Sequence, residues 1–253
     1  MSGHSKWAQI RRQKGVNDAR RGQIFTRLGR EIIVAVREGG SPDPAANFRL
    51  RMAVQHAREA NMPMENIERS IKRAAGGGDG ASIEEITYEG YGPGGTAVMV
   101  QVMTDNRNRT VAEIRNVFSR NGGNLGENGC VDWLFEQKGV IEITLDGLDP
   151  DEVTLAAIDA GAEDVEPVKP DDETLTIYTD PAQFDAVHNE LEQKKYPIAR
   201  GEVTLVAKTT IELDDKTTVQ AVRLIEKLED LDDVQNVYTN AEFSEAAAAG
   251  LEG

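Results

Sequence analysis

Apolar residues in the first third of the chain recur with the period of an α-helix. The stretch 17–38 has apolar residues at every fourth position: Ile24, Leu28, Ile32 and Val36. This spacing predicts an amphipathic helix. The segment 39–44, GGSPDP, ends that helix and starts a second one behind its last proline, reaching about residue 60. Apolar positions three and four apart predict a third helix over 64–75, so 1–75 is predicted to be a helical domain.

Beyond the glycine-rich linker 76–80, strand and helix patterns alternate. One run predicts strand, helix, strand, strand, helix and strand, the order of a ferredoxin-like sandwich, over 139–145, 150–161, 163–168, 173–179, 181–194 and 198–202. The flanking segments give the same order when joined: 96–104, 108–120, 131–135, 203–213, 216–229 and 233–239. We therefore predict an α+β protein, with an N-terminal helical domain followed by two ferredoxin-like α/β sandwich domains. Residues 136–202 would be inserted into a discontinuous domain of 81–135 and 203–240.

The charge of the chain is unevenly distributed. The 253 residues include 39% apolar and 28% charged residues, a globular balance, and the net charge is −16. Residues 1–80 contain 15 basic and 8 acidic side chains, whereas 81–253 contain 13 and 36. A basic front segment therefore precedes an acidic body, which indicates a polyanionic partner for the front segment.

The first thirty residues, called here the basic leader, are the most one-sided part of the chain. Asp18 is the single acid among eight bases: Lys6, Arg11, Arg12, Lys14, Arg20, Arg21, Arg27 and Arg30. Such a density of positive charge suits phosphate groups, since each neutralised phosphate releases a counterion. The alternative is a solvated helix face, with Trp7 and Phe25 in a core; for Phe25, beside the apolar stripe, we favour the core. The predicted partner is DNA or ribosomal RNA.

Two further segments are candidates for contact with nucleic acid. In 104–110 a strand meets a helix, and Arg107 and Arg109 could receive an anion there. The simpler interpretation is that Asp105 or Asn106 caps the helix; both interpretations can hold, and capping does not explain the second arginine. The polar loop 121–129 is most simply a mobile loop of turn-forming residues, with RNA contact as the alternative.

Other classes of protein are not predicted. Residues 90–95 fit G-x-G-x-x-G, but a strand follows them, so they predict a glycine turn rather than a dinucleotide loop. Cys130 is predicted to be a core thiol, and the acid clusters around 149–152, 171–173 and 229–233 to be solvated turns. We expect no catalysis, cofactor or metal. Without an 18-residue apolar run or a signal sequence, we expect a cytoplasmic protein that spans no membrane.

Several motifs carry a resemblance to a known family. They are Gly3-His4-Ser5-Lys6-Trp7 and the segments 18–22, 24–28, 60–63, 66–69, 88–95, 104–110 and 121–126. On these motifs the chain resembles the YebC/PmpR family, which includes the mitochondrial translational activator of cytochrome c oxidase. Gly29, inside the first helix, and Cys130, where a small residue such as serine is expected, depart from the family pattern.

The resemblance implies three domains and a role in gene expression. Members of the family have been described as DNA-binding transcriptional regulators, and also as ribosome-associated factors that relieve stalling at stretches such as proline runs. We place the DNA-binding regulator first and the RNA-binding ribosomal factor second. A third hypothesis is a protein-interaction scaffold whose acidic domains bind a basic partner. The oligomeric state does not follow from the sequence.

Overall fold

The computed structural model describes residues 18–76, 83–168 and 172–243, with side chains from residue 22 onward. The helices are α1 Asp18–Gly39, α2 Phe48–Glu59, α3 Met64–Ala75, α4 Arg107–Arg120, α5 Pro150–Asp159, α6 Phe184–Gln193 and α7 Asp215–Glu229. The strands are β1 Glu84–Tyr91, β2 Ala97–Thr104, β3 Asn124–Leu125, β4 Phe135–Thr144, β5 Asp164–Val165, β6 Thr174–Thr179, β7 Ile198–Ala207, β8 Ile211–Glu212, β9 Val234–Thr239 and β10 Ala241–Glu242. Among the described residues, those of Phe135–Lys208 form one compact unit, the inserted unit, and those before and after it form the other, the outer unit.

The three predicted N-terminal helices are confirmed, and together they form the helical head of the outer unit. Ile32, Leu50 and Ile67, one from each helix, are fully buried in a shared core, and Phe25 packs against its edge. The second helix begins at Phe48, later than predicted, because the Asn47 side chain caps it by accepting from the Leu50 amide at 3.0 Å. The predicted linker lies almost entirely outside the described residues.

The rest of the outer unit is built on a four-stranded antiparallel sheet in the order β3-β1-β2-β9. Helices α4 and α7 cover it, since Phe118 and Leu224 from these helices share a buried core with Val100 and Val237 from the strands. The short strands β8 and β10 form a separate parallel pair. This packing places the end of α7 and the start of β9 beside the helical head.

The strands of the outer sheet differ from those predicted. Strand β1 was missed because its sequence, EEITYEGY, has three acids and no apolar run, yet it pairs with β2 along its whole length. The predicted strand 131–135 is mainly a 3-10 turn, Asp132–Leu134, leading into β4. The predicted strand 203–213 is divided, with its first part in β7 of the inserted unit and only Ile211–Glu212 in β8.

The inserted unit contains all six elements predicted for it. Its antiparallel sheet has the order β5-β6-β4-β7, the arrangement expected of a β-α-β-β-α-β sandwich. Ile141 and Ile177 from the strands and Val187 and Leu191 from α6 are fully buried. The α+β class is therefore confirmed, although β4 and β7 are longer than predicted.

Candidate nucleic-acid interface

Most of the basic leader lies outside the part of the chain that can be described. Lys6, Arg11, Arg12 and Lys14 precede the first described residue. Arg20 and Arg21 fall on α1, but their side chains are outside the described set. The assignment of these six residues to a nucleic-acid site thus stays a prediction.

The last two arginines of the leader, Arg27 and Arg30, contact the end of α7. Arg27 Nη2 donates to the carbonyl oxygen of Glu229 and, at 3.3 Å, to that of Leu231. Arg30 Nη1 donates to the carbonyl oxygen of Asp232 at 2.6 Å. Carbonyls at a helix C-terminus lack partners within the helix and carry its partial negative charge. These guanidinium groups therefore stabilise the outer unit from within rather than forming an open cationic face.

Asp233 is the centre of this contact. Its side chain is 4% exposed, and Arg30 Nη1 lies 2.9 Å from one of its carboxylate oxygens. The other oxygen accepts from Arg109 at 2.7 Å, Thr110 at 2.6 Å and Thr104 at 3.0 Å. Burial alone would raise the pKa of Asp233, but Arg109, Thr110 and Arg30 outweigh it and hold that pKa below its usual value.

The prediction that the acidic cluster around 229–233 is a solvated turn is therefore wrong for Asp233. The sequence signal is weak, because four acids lie within the five residues 229–233 at the end of α7, and only Asp233 among them is buried. Its partners, Thr104 and Thr110, are more than 120 positions away in the chain. Arg30 and Arg109 were selected as anion-seeking residues, and the anion they contact here is an internal carboxylate.

The segment between β2 and α4 was predicted either to cap the helix or to bind an anion through its arginines, and the structure shows the contacts of both groups. Of the two predicted caps, Asp105 and Asn106, it is Asn106 that caps α4: its side chain accepts from the Arg109 amide at 3.1 Å. The Arg109 guanidinium pairs with Asp233 and, at 3.1 Å, with Asp105, and these contacts raise its pKa. Arg107 is exposed. Capping left the second arginine unexplained, and Asp233 explains it.

Cations on the outward faces of the head were not selected by the sequence analysis. Helices α2 and α3 each have 12 residues and are joined by the turn 60–63, in which Asn61 adopts a φ of 58°. The exposed basic residues described on the head are Arg37 on α1, Arg51 and Arg58 on α2, and Arg69, Lys72 and Arg73 on α3. Three of them lie on α3, whose strict amphipathic pattern could have identified its solvent face.

The loop before the inserted unit is held by a buried acid. The Glu89 carboxylate accepts from the backbone amides of Gly129, Val131 and Asp132 at 2.6, 2.9 and 2.9 Å. Burial would raise the pKa of Glu89, but these three amides lower it overall. The segment 121–134 is thus tied to β1, and the expectation of a simply mobile loop needs this correction. Glu89 was missed by the sequence analysis.

Two predictions about the remaining motifs can be compared with the structure. Residues 92–96 form the turn of the β1–β2 hairpin, with φ of 72° at Gly94 and 74° at Gly95, so the glycine-turn prediction is confirmed. Cys130 is half-buried, and burial together with Glu89 raises the pKa of its thiol, which disfavours the nucleophilic thiolate. Within the described ranges, no cluster of metal-ligating side chains occurs, and no helix has the length and hydropathy to cross a membrane.

Comparisons with known proteins cover nearly the whole chain. Residues 5–77 match the "TACO1/YebC protein N-terminal domain", and residues 83–241 match the "TACO1/YebC second and third domain". Among curated proteins, the chain is 57% identical to one from Chloroflexus aurantiacus over 246 residues, covering 96% of both chains. It is 55% identical to one from Roseiflexus castenholzii over 252 residues, covering 98% of both. Each of these relatives is named "Probable transcriptional regulatory protein".

A solved structure supports the same assignment. The crystal structure of a conserved hypothetical protein from Aquifex aeolicus superimposes with a TM-score of 0.81 at 48% identity, covering 90% of this chain and 93% of that one. The helical head, the outer sheet and the inserted unit agree with a family described by an N-terminal domain followed by a second and a third. The chain belongs to the TACO1/YebC family.

Proposed function

We propose that this protein is a non-enzymatic regulator of gene expression that acts by binding nucleic acid, in the first place as a DNA-binding transcriptional regulator in the cytoplasm. The names of its relatives support the regulatory role. The observation that carries nucleic-acid binding is the basic leader, with eight bases against one acid. Polyphosphate backbones attract this pattern through counterion release, whatever the base sequence.

The internal contacts of Arg27, Arg30 and Arg109 reduce the set of residues that are candidates for contact with nucleic acid. Their guanidinium groups hold the outer unit together, so we assign the phosphate contacts to Lys6, Arg11, Arg12, Lys14, Arg20 and Arg21. We add Arg107 and the exposed cations of α3 as further candidates for phosphate contact. Phosphate contacts of this kind position a protein on a duplex without reading its sequence.

A second candidate is an RNA-binding, ribosome-associated factor. It is favoured by two exposed aromatic side chains, Trp133 at 65% and Tyr91 at 40% exposure. Trp133 Nε1 and the Tyr91 hydroxyl both donate to the Cys130 carbonyl oxygen, at 3.2 and 2.9 Å, which fixes the rings beside the loop that Glu89 holds. Exposed, fixed rings suit stacking on unpaired bases, the usual mode of RNA recognition.

The leader is tested by the salt dependence of binding. Fluorescence anisotropy with a labelled DNA duplex and a labelled RNA hairpin, at 50 to 300 mM salt, would give the slope for the full chain. Replacing Arg11, Arg12, Arg20 and Arg21 by alanine should reduce that slope by about 3 to 4 for the duplex. A matched variant that removes four exposed cations elsewhere, Lys194, Lys216, Arg223 and Lys227, should leave it unchanged. Equal slopes in all three proteins would refute the leader as the site.

The two candidate functions differ in what they bind in the cell. Ultraviolet crosslinking followed by sequencing of the recovered nucleic acid should yield chromosomal DNA for the transcriptional regulator and ribosomal RNA for the ribosomal factor. Recovery of neither, with basic proteins recovered by chemical crosslinking, would favour the scaffold hypothesis. Trp133→Ala should weaken RNA-hairpin binding more than duplex binding if RNA is the partner.

A further inference from the structure

A cavity of about 410 Å³ lies within the outer unit, between α1, α3 and the start of the sheet. Its volume falls in the lower part of the roughly 300–1,000 Å³ range of small-ligand sites. One wall is apolar and is formed by Phe25, Ile33, Met62 and Ile83. An apolar wall of this kind can take the flat face of an aromatic ring.

Gly29 makes room for this cavity. It lies inside α1, where glycine costs about 1 kcal/mol relative to alanine, and it does not adopt a positive φ that would require glycine. A Cβ at this position would meet only Ser70 Oγ at 3.4 Å and Met62 Cε at 4.0 Å. A methyl group therefore fits, but a larger side chain would fill the space.

The polar lining offers hydrogen-bond acceptors. Thr26 Oγ1 donates to the Gly22 carbonyl oxygen and Ser70 Oγ to that of Asn66, each at 3.0 Å, so both hydroxyl protons are used within the helices. Their oxygens remain able to accept from ligand hydroxyl or amino groups. The Asn66 side chain, which also lines the cavity, brings both a donor and an acceptor.

Charge at the cavity favours an anion on one side. Arg69 and Arg73, one helical turn apart on α3, line it and are exposed. Arg30 contributes a fixed positive charge held by Asp233. The lining also includes the carboxylate of Asp105, which pairs with Arg109 and could accept from the amino group of a base. The two outward arginines suit a phosphate, whereas the apolar wall does not.

We propose that this cavity binds one nucleotide, with the base against the apolar wall, the sugar hydroxyls at Thr26 and Ser70, and the phosphate at Arg69 and Arg73. The nucleotide is either free or an unstacked unit of a single strand. This inference rests on the proposed function for the second source, because the leader would bring the strand to the head. Enzymes that take a base out of its stack read it in a pocket with the same mixture of apolar and polar groups.

The test uses two glycines of the same helix. Gly29→Leu should fill the cavity, whereas Gly22→Leu is the matched control, because a Cβ at Gly22 meets nothing within 4 Å. Binding of 5′-AMP, 5′-GMP, 5′-CMP and 5′-UMP to the full chain would be measured by saturation-transfer NMR and calorimetry. We expect at least tenfold weaker binding in Gly29→Leu and no change in Gly22→Leu.

A second pair of variants covers the case in which Gly29→Leu does not fold. Arg73→Ala removes an exposed cation of the cavity, and Arg58→Ala removes an exposed cation on α2 outside it. Binding should weaken about tenfold in the first and stay unchanged in the second. Absence of saturable mononucleotide or single-strand binding to the wild-type chain, or equal losses in both members of a pair, would overturn the proposal.

Competition separates the two sources of the nucleotide and the two proposals. An eight-residue single-stranded RNA that displaces 5′-AMP identifies the strand as a source; no displacement identifies the free nucleotide. Duplex binding should keep its affinity and salt slope in Gly29→Leu, because it depends on the leader. If the leader variant has a reduced salt slope for the duplex but still binds mononucleotides, both the leader site and the cavity site are supported. If only the leader variants or only the cavity variants lack the expected effect, only the corresponding proposal is refuted.

Discussion

The arginines of α1 and those of α3 belong to the same helical head but face opposite environments. Arg30 on α1 is 20% exposed and contacts the buried carboxylate of Asp233. Arg69 on α3 is 67% exposed and pairs only with Glu65 on its own helix, at 2.9 Å, among its described ion pairs. The same residue type thus stabilises the fold on one helix and remains accessible to a ligand on the other.

The difference shows that positive charge density alone does not locate a binding surface. A guanidinium beside a helix C-terminus and a buried acid contributes to folding, and its loss removes one of the groups that compensate the buried charge. An exposed guanidinium contributes little to stability, because water and salt screen its contacts. Stability and binding should therefore separate between the two helices.

The largest effect is expected from Asp233→Ala. The substitution removes the shared acceptor of Arg30, Arg109, Thr104 and Thr110, so it should lower the free energy of unfolding by about 3 kcal/mol. Chemical denaturation followed by circular dichroism would measure it. Asp232→Ala, which changes the exposed neighbour, should cost less than about 0.5 kcal/mol. Equal, small losses in both variants would place the two carboxylates in the same environment and contradict the comparison.

Acid should weaken the same contact to a smaller extent. Because the pKa of Asp233 is lowered from 3.8, its charge stabilises the folded chain above that value, and this contribution is lost as the pH falls through the lowered pKa. Asp233→Asn has no such titration, so its stability should depend less steeply on pH below about 4. Glu89, whose pKa is also lowered, should leave some pH dependence in the variant. Identical acid profiles of wild type and variant would contradict the assignment.

The space beside Gly29 predicts a moderate gain in stability, in contrast to the losses expected from Asp233→Ala and from acid. Gly29→Ala should stabilise the chain by about 0.5–1 kcal/mol, since alanine favours the helix and its methyl group makes only ordinary contacts. Gly22→Ala, on the exposed part of the same helix, should give a gain of similar sign. Thermal unfolding would compare them. Stabilisation by Gly22→Ala together with destabilisation by Gly29→Ala would mean that α1 and α3 leave no room for the methyl group.

Local patterns were sufficient for the head and for the inserted unit. The three helices of the head have regular apolar spacing, and the inserted unit is a continuous segment whose six elements follow one another in the sequence. The outer sheet was harder to predict, because β1, one of its two inner strands, carries Glu84, Glu85 and Glu89. Glu89 is buried there only because three amides from the distant segment 129–132 satisfy it.

Within the candidate site, the sequence identified charged residues but not whether each side chain contacts solvent or a group inside the protein. Arg30 and Arg109 have the residue type expected of an anion site, yet their partner Asp233 lies more than 120 positions away in the chain. Arg69 and Arg73 were not among the predicted site residues; α3 carries two acids beside three bases, so its charge is not one-sided. The orientation of a side chain depends on tertiary contacts between distant segments, and a local sequence pattern does not predict these contacts.

The smallest effect on stability is expected from Arg69→Ala. It removes one exposed ion pair, Glu65 with Arg69, whose spacing of four residues on a helix is worth about 0.3–0.5 kcal/mol. The loss should shrink further at high salt, whereas any loss of nucleotide affinity would reflect the phosphate contact proposed for this side chain. A double-mutant cycle with Glu65→Ala, measured by thermal unfolding at low and high salt, would isolate the pair. A coupling well above about 1 kcal/mol, the upper end for exposed ion pairs, would mean that the Glu65–Arg69 pair is not an ordinary exposed pair, and the contrast between the two helices would then be lost.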